Sequence, residues 1–249
     1  CYIWNIGFIL RIAGSLKKIA PDIKIIFGGP EVSFDSEMYM DKYRFIDAVI
    51  RGEGEETFCD LLKKGFHIDG VTYRDEDGKI VRMKDRGPIC DLNKIPFPYT
   101  KKDIYENRNK LIYYESSRGC PFSCSYCLSS TVHNVRFRNI ETVKRELKAF
   151  IDQGCRIIKF VDRTFNADRK RAAELVEFLI HEGKTTQFHF EIAADLINDE
   201  MIRLFRSAPK NMFLLEIGVQ STNEKTISEI DRKTDFERIS SAVQALKGS

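Results

Sequence analysis

Three thiols crowd one short stretch of the chain. In SSRGCPFSCSYCLSS, residues 116–130, Cys120, Cys124 and Cys127 stand four and then three positions apart. Thiolates are soft ligands, suited to zinc or to iron–sulfur clusters. Gly119, Pro121, Ser123 and Ser125 fit a tight, non-helical loop. Such a loop can wrap its backbone around a compact inorganic object and turn N–H groups toward thiolate and sulfide. Three readings compete. A structural zinc site needs four closed ligands, and the nearest fourth candidate is His133. A second reading has unrelated thiols and no metal. The third is an iron–sulfur cluster on three cysteines, with one iron left open for a substrate or cofactor, and it is the favoured one. An open iron argues for catalysis over electron storage. Cys1, Cys59, Cys90 and Cys155 are scattered. Cys59, in a helical pattern, and Cys155, opening a strand, are expected to be buried packing residues.

The elements around the loop follow a β/α rhythm. From Leu111 the pattern predicts a strand at 111–116, the cysteine loop, a helix at 140–153, a strand at 156–162, a helix at 168–182, a strand at 187–193, a helix at 198–206, a strand at 212–219 and helices at 223–231 and 236–247. The thiols thus follow the first strand directly, at its C-terminal end, where parallel α/β folds place their chemistry. The next strand ends carry polar groups: Asp162, Thr164 and Asn166 in FVDRTFN, Glu191 in FHFEIAAD, and Glu216, Gln220 and Ser221 in FLLEIGVQSTN. Arg232 lies twelve residues past Gln220. A carboxylate such as Glu191 in an apolar strand needs a partner if buried, either a cofactor or a Lys or Arg of the sheet.

Residues 1–66 also read as α/β. A helix with Ile9, Ile12, Leu16 and Ile19 on its apolar stripe precedes Pro21. A strand at 23–27 enters Gly28-Gly29-Pro30, and a strand at 48–50 enters the loop RGEGEE with Gly52 and Gly54, followed by a helix at 56–64. Residues 67–110 change character: a hairpin around Asp75–Gly78, then a proline-broken stretch that reads as a linker. The four β/α units fall short of the eight of an ordinary barrel. Both ends look cut, so the chain is expected to be a fragment.

Composition agrees with a globular protein: of 249 residues, 43% are hydrophobic and 31% charged. Forty basic against 37 acidic residues give +3, too little to argue for a nucleic-acid or membrane partner. No apolar run approaches the ~18–20 residues of a membrane helix. The N-terminus reads as an amphipathic helix without a basic lead-in, not a signal peptide, so a reducing, cytoplasmic setting is expected.

C-x3-C-x2-C with Tyr126 just before the last cysteine resembles the radical S-adenosylmethionine (SAM) superfamily. The resemblance implies a 4Fe–4S cluster on Cys120, Cys124 and Cys127, SAM on its open iron, anaerobic chemistry through a 5′-deoxyadenosyl radical, and a low-potential electron donor such as flavodoxin or ferredoxin. It implies SAM contacts at Tyr126, Glu191, Gln220, Ser221 and Arg232, and also at Asp162 and Thr164, although DRT stands where a glycine-rich motif is usual. GGPE and RGEGEET ahead of this core look like the cobalamin-binding domain of the cobalamin-dependent class, with Gly28, Gly29, Gly52 and Gly54 facing the cofactor. The mutase-type motif D-x-H-x-x-G is absent, since His67, His133, His181 and His189 all lie outside such a motif. The expected fold is a partial Rossmann-like segment (1–66), a hairpin and linker (67–110) and a partial TIM-like barrel (111–249). The expected function is SAM cleavage linked to methyl transfer. A radical oxidoreductase or cyclase without methyl transfer, and a zinc-clasp binding module, are the alternatives. The substrate is not legible.

Overall fold

Short strands with glycine or proline at their ends build the first sheet. A computed structural model of the chain describes every residue except Val132, His133, Lys233, Gly248 and Ser249. The chain divides into two compact units, Cys1–Cys90 and Asp91–Ser249.

In the first unit, α1 (Ile6–Ile19) precedes β1 (Ile26–Gly28), the short helices α2 (Pro30–Ser33) and α3 (Ser36–Lys42), β2 (Ala48–Ile50) and α4 (Glu55–Lys64). β1 and β2 pair in parallel, Gly28 opposite Ile50. β3 (Val71–Arg74) and β4 (Ile80–Arg82) form the hairpin around Asp75–Gly78, and β3 adds antiparallel to β2. The hairpin is therefore the outer half of one four-stranded sheet, β1-β2-β3-β4, and not a piece of a separate 67–110 segment. Arg51 explains why. Its guanidinium is 4% exposed and bonds Asp85 Oδ1 at 2.7 Å, Thr72 Oγ1 at 2.6 Å and the Met83 carbonyl at 2.6 Å, riveting the hairpin to the end of β2. Residues from Asp91 onward belong to the second unit.

Two details differ from the pattern. α1 packs through Ile6, Ile9, Leu10 and buried Ala13, while Ile12, Leu16 and Ile19 face outward. In α4, Thr57 and Leu61 point inward and Cys59 is exposed, because it falls on the opposite side of the helix from that pair. Cys155 is buried as expected.

In the second unit, α5 (Lys101–Asn107) opens with a capping box between Thr100 and Asp103. Then come β5 (Leu111–Tyr114), the two-residue strands β6 (Ser117–Arg118) and β7 (Arg136–Phe137), α6 (Ile140–Asp152), β8 (Ile157–Phe160), α7 (Arg169–Glu182), β9 (Gln187–Ile192), α8 (Asp199–Ser207), β10 (Phe213–Ile217), α9 (Glu224–Glu229) and α10 (Phe236–Lys247). Asn139, Asp168, Asn198 and Asn223 cap α6, α7, α8 and α9, each accepting a first-turn N–H. β5, β8, β9 and β10 pair in parallel in chain order, the progression of a β/α barrel wall. One face of this sheet carries Ile158, Phe160, Phe188 and Phe190, packed with Leu147, Phe150, Leu175 and Leu179 of α6 and α7. At about 25 cal/mol per Å² of apolar surface, this interlocked aromatic core is the main driving force for the unit. The fold is α/β with parallel strands, as expected.

No helix of the described residues is long and apolar enough to cross a membrane.

Candidate cofactor site

The cysteine loop leaves β5 and is pinned at its base. β6 and β7 pair across it, Ser117 opposite Phe137 and Arg118 opposite Arg136, a two-rung clamp within the stretch read as continuous loop. Beneath the clamp lies Asp162, 1% exposed, at the end of β8. Its Oδ1 accepts the Ser116 N–H at 2.7 Å, and its Oδ2 accepts the Ser116 and Ser117 hydroxyls at 2.6 and 2.7 Å. Burial drives its pKa above the ordinary carboxylate range, outweighing those three hydrogen bonds. Both oxygens are committed inside the protein, so Asp162 anchors the loop and differs from the expected SAM contact. Next to it, Tyr114 Oη donates to Glu146 Oε2 at 2.7 Å and Arg138 Nη2 donates to Glu146 Oε1 at 2.9 Å, while the Arg138 N–H bonds the Ser116 carbonyl. Burial and the Glu146 carboxylate both push the Tyr114 phenol up, keeping it neutral.

Gly119 shows why this turn needs glycine. Its φ is +105°, and a Cβ there would overlap the Asn134 carbonyl. Cys120 follows at once, with its Sγ 3.5 Å from Thr164 Oγ1, which brings Thr164, expected as a SAM contact, beside the first thiol. Thr164 is buried and also donates to its neighbour's carbonyl, that of Arg163. Cys124 is the most enclosed of the three, 6% exposed, and the Cys127 N–H bonds its carbonyl at 3.1 Å. Tyr126 is half-exposed.

A distant segment closes the other side. The Ser125 N–H bonds the Ile230 carbonyl at 3.0 Å, and Ser123 Oγ donates to Asp231 Oδ2 at 2.8 Å. Arg232 Nη1 reaches the Tyr126 hydroxyl at 3.2 Å and Cys124 Sγ at 3.9 Å, and its Nη2 donates to the Gly218 carbonyl at 2.7 Å. Gln220 sits at φ +65° with its amide folded over Gly218. Arg232, Gln220 and Tyr126 are thus gathered at one edge of the thiol loop. Ser221 is less available: its hydroxyl accepts the Asn223 N–H at 3.1 Å and shapes the turn into α9.

Glu191 has the sheet partner that the apolar strand demanded. Lys159 Nζ lies 3.4 Å from Glu191 Oε1 and 3.0 Å from Glu216 Oε2, and His189 Nε2 is 3.0 Å from the same Glu216 oxygen. All four project from the sheet face opposite the aromatic core. Burial alone would lower the Lys159 pKa, but the two carboxylates raise it on balance. Glu216 is held below its ordinary value, chiefly by the Lys159 hydrogen bond. Glu191 is therefore a partner in a charge cluster, the alternative weighed beside a SAM contact. Lys159 was legible by the same signal, a charge inside the apolar run IIKF. Asn166 was named but its task was not: buried, it exchanges two hydrogen bonds with the backbone of Ala193 at 2.8 and 2.9 Å and ties the ends of β8 and β9 together.

The donor set fits an iron–sulfur cluster: three soft thiols on a tightly turned loop. Among the described residues no three His, Cys, Asp or Glu side chains surround a point closely enough for a single ion. A cluster takes each thiol on a different iron, so single-ion geometry is not what the trio has to satisfy. His133, the fourth ligand of the zinc alternative, lies outside the described residues. In the first unit, the parallel pairing brings Gly28-Gly29 and the loop Gly52–Gly54 side by side at the strand ends. Gly52 has φ +70° and open space where a side chain would stand, which fits the approach of a broad ligand to the backbone.

A parallel β/α scaffold with a three-thiol loop on its first strand end defines a class of cofactor enzymes. Residues 114–249 match the radical SAM superfamily and residues 1–62 match the B12 binding domain. The first match covers more than half of the chain, and the chain belongs to the radical SAM superfamily. It is 28% identical, over 95% of its length, to the uncharacterized methyltransferase PH0819 of Pyrococcus horikoshii, of which it covers 54%. It is 27% identical, over 93% of its length, to the anaerobic magnesium-protoporphyrin IX monomethyl ester cyclase of Rubrivivax gelatinosus, covering 44% of that protein. Its fold matches that of the cobalamin-dependent SAM radical enzyme OxsB, solved with aqua-cobalamin and SAM bound, with a TM-score of 0.76 at 18% identity over 97% of this chain and 38% of that one. The chain spans about half the length of the curated relatives it matches.

Proposed function

We propose that this chain is the cofactor-handling part of a cobalamin-linked radical SAM enzyme that transfers a methyl group. The observation that carries the reading is the thiol loop itself, held between the β6–β7 clamp and the Ile230–Arg232 segment. Cys120, Cys124 and Cys127 hold a 4Fe–4S cluster, and Tyr126, Gln220 and Arg232 border the place where SAM would meet its open iron, with Thr164 beside Cys120. When bound, these cofactors supply the electron that cleaves SAM to methionine and a 5′-deoxyadenosyl radical, and a cobalt centre able to carry methyl. The chain's own part is mechanical and electrostatic. Asp162 and Asn166 lock the strand ends, and Gly119 lets the loop turn under the cluster. Glu191 and Glu216, bridged by Lys159, present a polar face toward a ligand. The loops at Gly28-Gly29 and Gly52–Gly54 receive cobalamin in the first unit. A low-potential donor, flavodoxin or ferredoxin, supplies the electron, and the setting is cytoplasmic and anaerobic.

The cyclase relative favours a second reading, radical chemistry without methyl transfer. Anaerobic reconstitution with iron, sulfide and hydroxocobalamin, followed by dithionite and SAM carrying a labelled methyl, tests both. The first reading expects 5′-deoxyadenosine and label moving onto cobalamin. 5′-Deoxyadenosine with no methylcobalamin supports the second, and a Cys124→Ala protein that still forms 5′-deoxyadenosine refutes both.

A further inference from the structure

The Arg232 side chain is turned into the cysteine loop. Its Nη1 faces Cys124 Sγ at 3.9 Å and the Tyr126 hydroxyl at 3.2 Å, and its Nη2 is fixed by the Gly218 carbonyl at 2.7 Å. The buried Nε has no partner among the described residues. The same segment grips the loop twice more, through Ser125 to Ile230 and Ser123 to Asp231. The nearby Asp231 carboxylate is turned to the Ser123 hydroxyl, so the guanidinium is the charged group of this segment that points at the sulfur. Cys124 is also the most enclosed of the three thiols, where a charge is least screened by water.

We propose that Arg232 is a positioning residue that sets the reduction potential of the cluster by directing a charged N–H donor at the Cys124 sulfur. Reduction adds negative charge that spreads onto the ligand sulfurs. A cationic donor held against one of them stabilises the reduced form and raises the potential. Gly218 is what aims it: a guanidinium clamped at one nitrogen by a backbone carbonyl can present the other to the sulfur. An ammonium has no such fork. The inference rests on the reading that the loop holds a 4Fe–4S cluster.

The test compares the anaerobically reconstituted wild-type chain with Arg232→Gln and Arg232→Lys, without SAM. Iron and sulfide per chain are measured first. The midpoint potential of the loaded fraction is then followed by electron paramagnetic resonance of the reduced cluster. The expected result is comparable loading, with the midpoint shifted to more negative values in Arg232→Gln and by a smaller amount in Arg232→Lys. A merely structural role lowers loading but leaves the midpoint of the loaded fraction in place, and an unmoved midpoint in Arg232→Gln overturns the proposal. If Arg232→Gln cannot be loaded, Arg232→Lys decides alone, since it keeps the charge and loses the fork: an unmoved midpoint again overturns it. A wild-type chain that takes up no iron sinks the underlying reading instead, and the two failures are told apart by the loading measurement.

Discussion

Single side chains around the thiol loop carry tasks of different kinds, and they separate by experiment. Replacing Cys120, Cys124 or Cys127 with serine removes a soft ligand and little volume. Iron uptake is expected to fall close to zero while circular dichroism stays unchanged, and full iron content in any of the three would contradict the assignment. Asp162 belongs to the scaffold. Asp162→Ala strands the Ser116 N–H and two hydroxyls in a dry site. A buried donor left unsatisfied costs about 1–3 kcal/mol, and the hydroxyls can turn to other partners, so the net loss is expected near ~3 kcal/mol in urea unfolding. Gly119→Ala forces a side chain onto a left-handed backbone and against the Asn134 carbonyl. A cost of about 1–3 kcal/mol follows, with weaker iron retention as the second readout. Gly218→Ala is milder: its Cβ would lie 2.8 Å from Gln220 Nε2, the free end of a flexible chain that can move aside. Stability should hold while SAM affinity drops, if the Gln220 amide meets the cofactor. An unchanged dissociation constant removes Gln220 from the site.

At the scale of elements, the hairpin β3–β4 shows how one buried cation decides an architecture. Arg51 stands in a glycine loop, where a basic residue ordinarily reads as solvated, yet it bridges β2 to the hairpin from inside. Its hydrogen bond to Asp85 is the main reason that carboxyl titrates below its ordinary value. A depressed pKa stabilises the fold above the unfolded value and loses that contribution as pH falls through the folded one. Arg51→Ala is therefore expected to speed amide hydrogen exchange across residues 71–82 at neutral pH. The difference from wild type should narrow only in acid, once the pH falls below the ordinary carboxylate range and through the depressed value at which folded Asp85 takes up its proton. Exchange that is equal at neutral pH would show that the β-ladder alone holds the hairpin. The β6–β7 clamp is a comparable device: two rungs close a serine-rich loop that has little cohesion of its own.

For the whole molecule, the cofactor readings fall on different units: thiols in the second, glycine loops in the first. Loading should respond to them separately. Cys124→Ser is expected to abolish iron and keep cobalamin uptake, seen as the corrinoid absorbance retained after gel filtration. Gly52→Val should do the reverse, since a branched side chain at φ +70° is strained and fills the open approach. Loss of both cofactors in either variant would show that the two sites load as one.

Much of this was legible because its physics is local. Alternating β/α periodicity and a three-thiol spacing after the first strand each depend on a few neighbouring residues, and the sequence alone determined them. It also marked Thr164, Glu191, Gln220 and Arg232 as polar strand-end groups. What those groups touch was decided by tertiary structure. Asp162 and Glu191 are identical in kind as carboxylates on apolar strands. One is spent on Ser116 and Ser117, the other on Lys159, because the strand register brings those partners within reach. The hairpin's place in the first sheet and the return of Arg232 to a cysteine 108 residues earlier follow from the same cause. Hydrogen bonds and ion pairs act over a few ångströms, and only the folded chain sets which distant residues come that close.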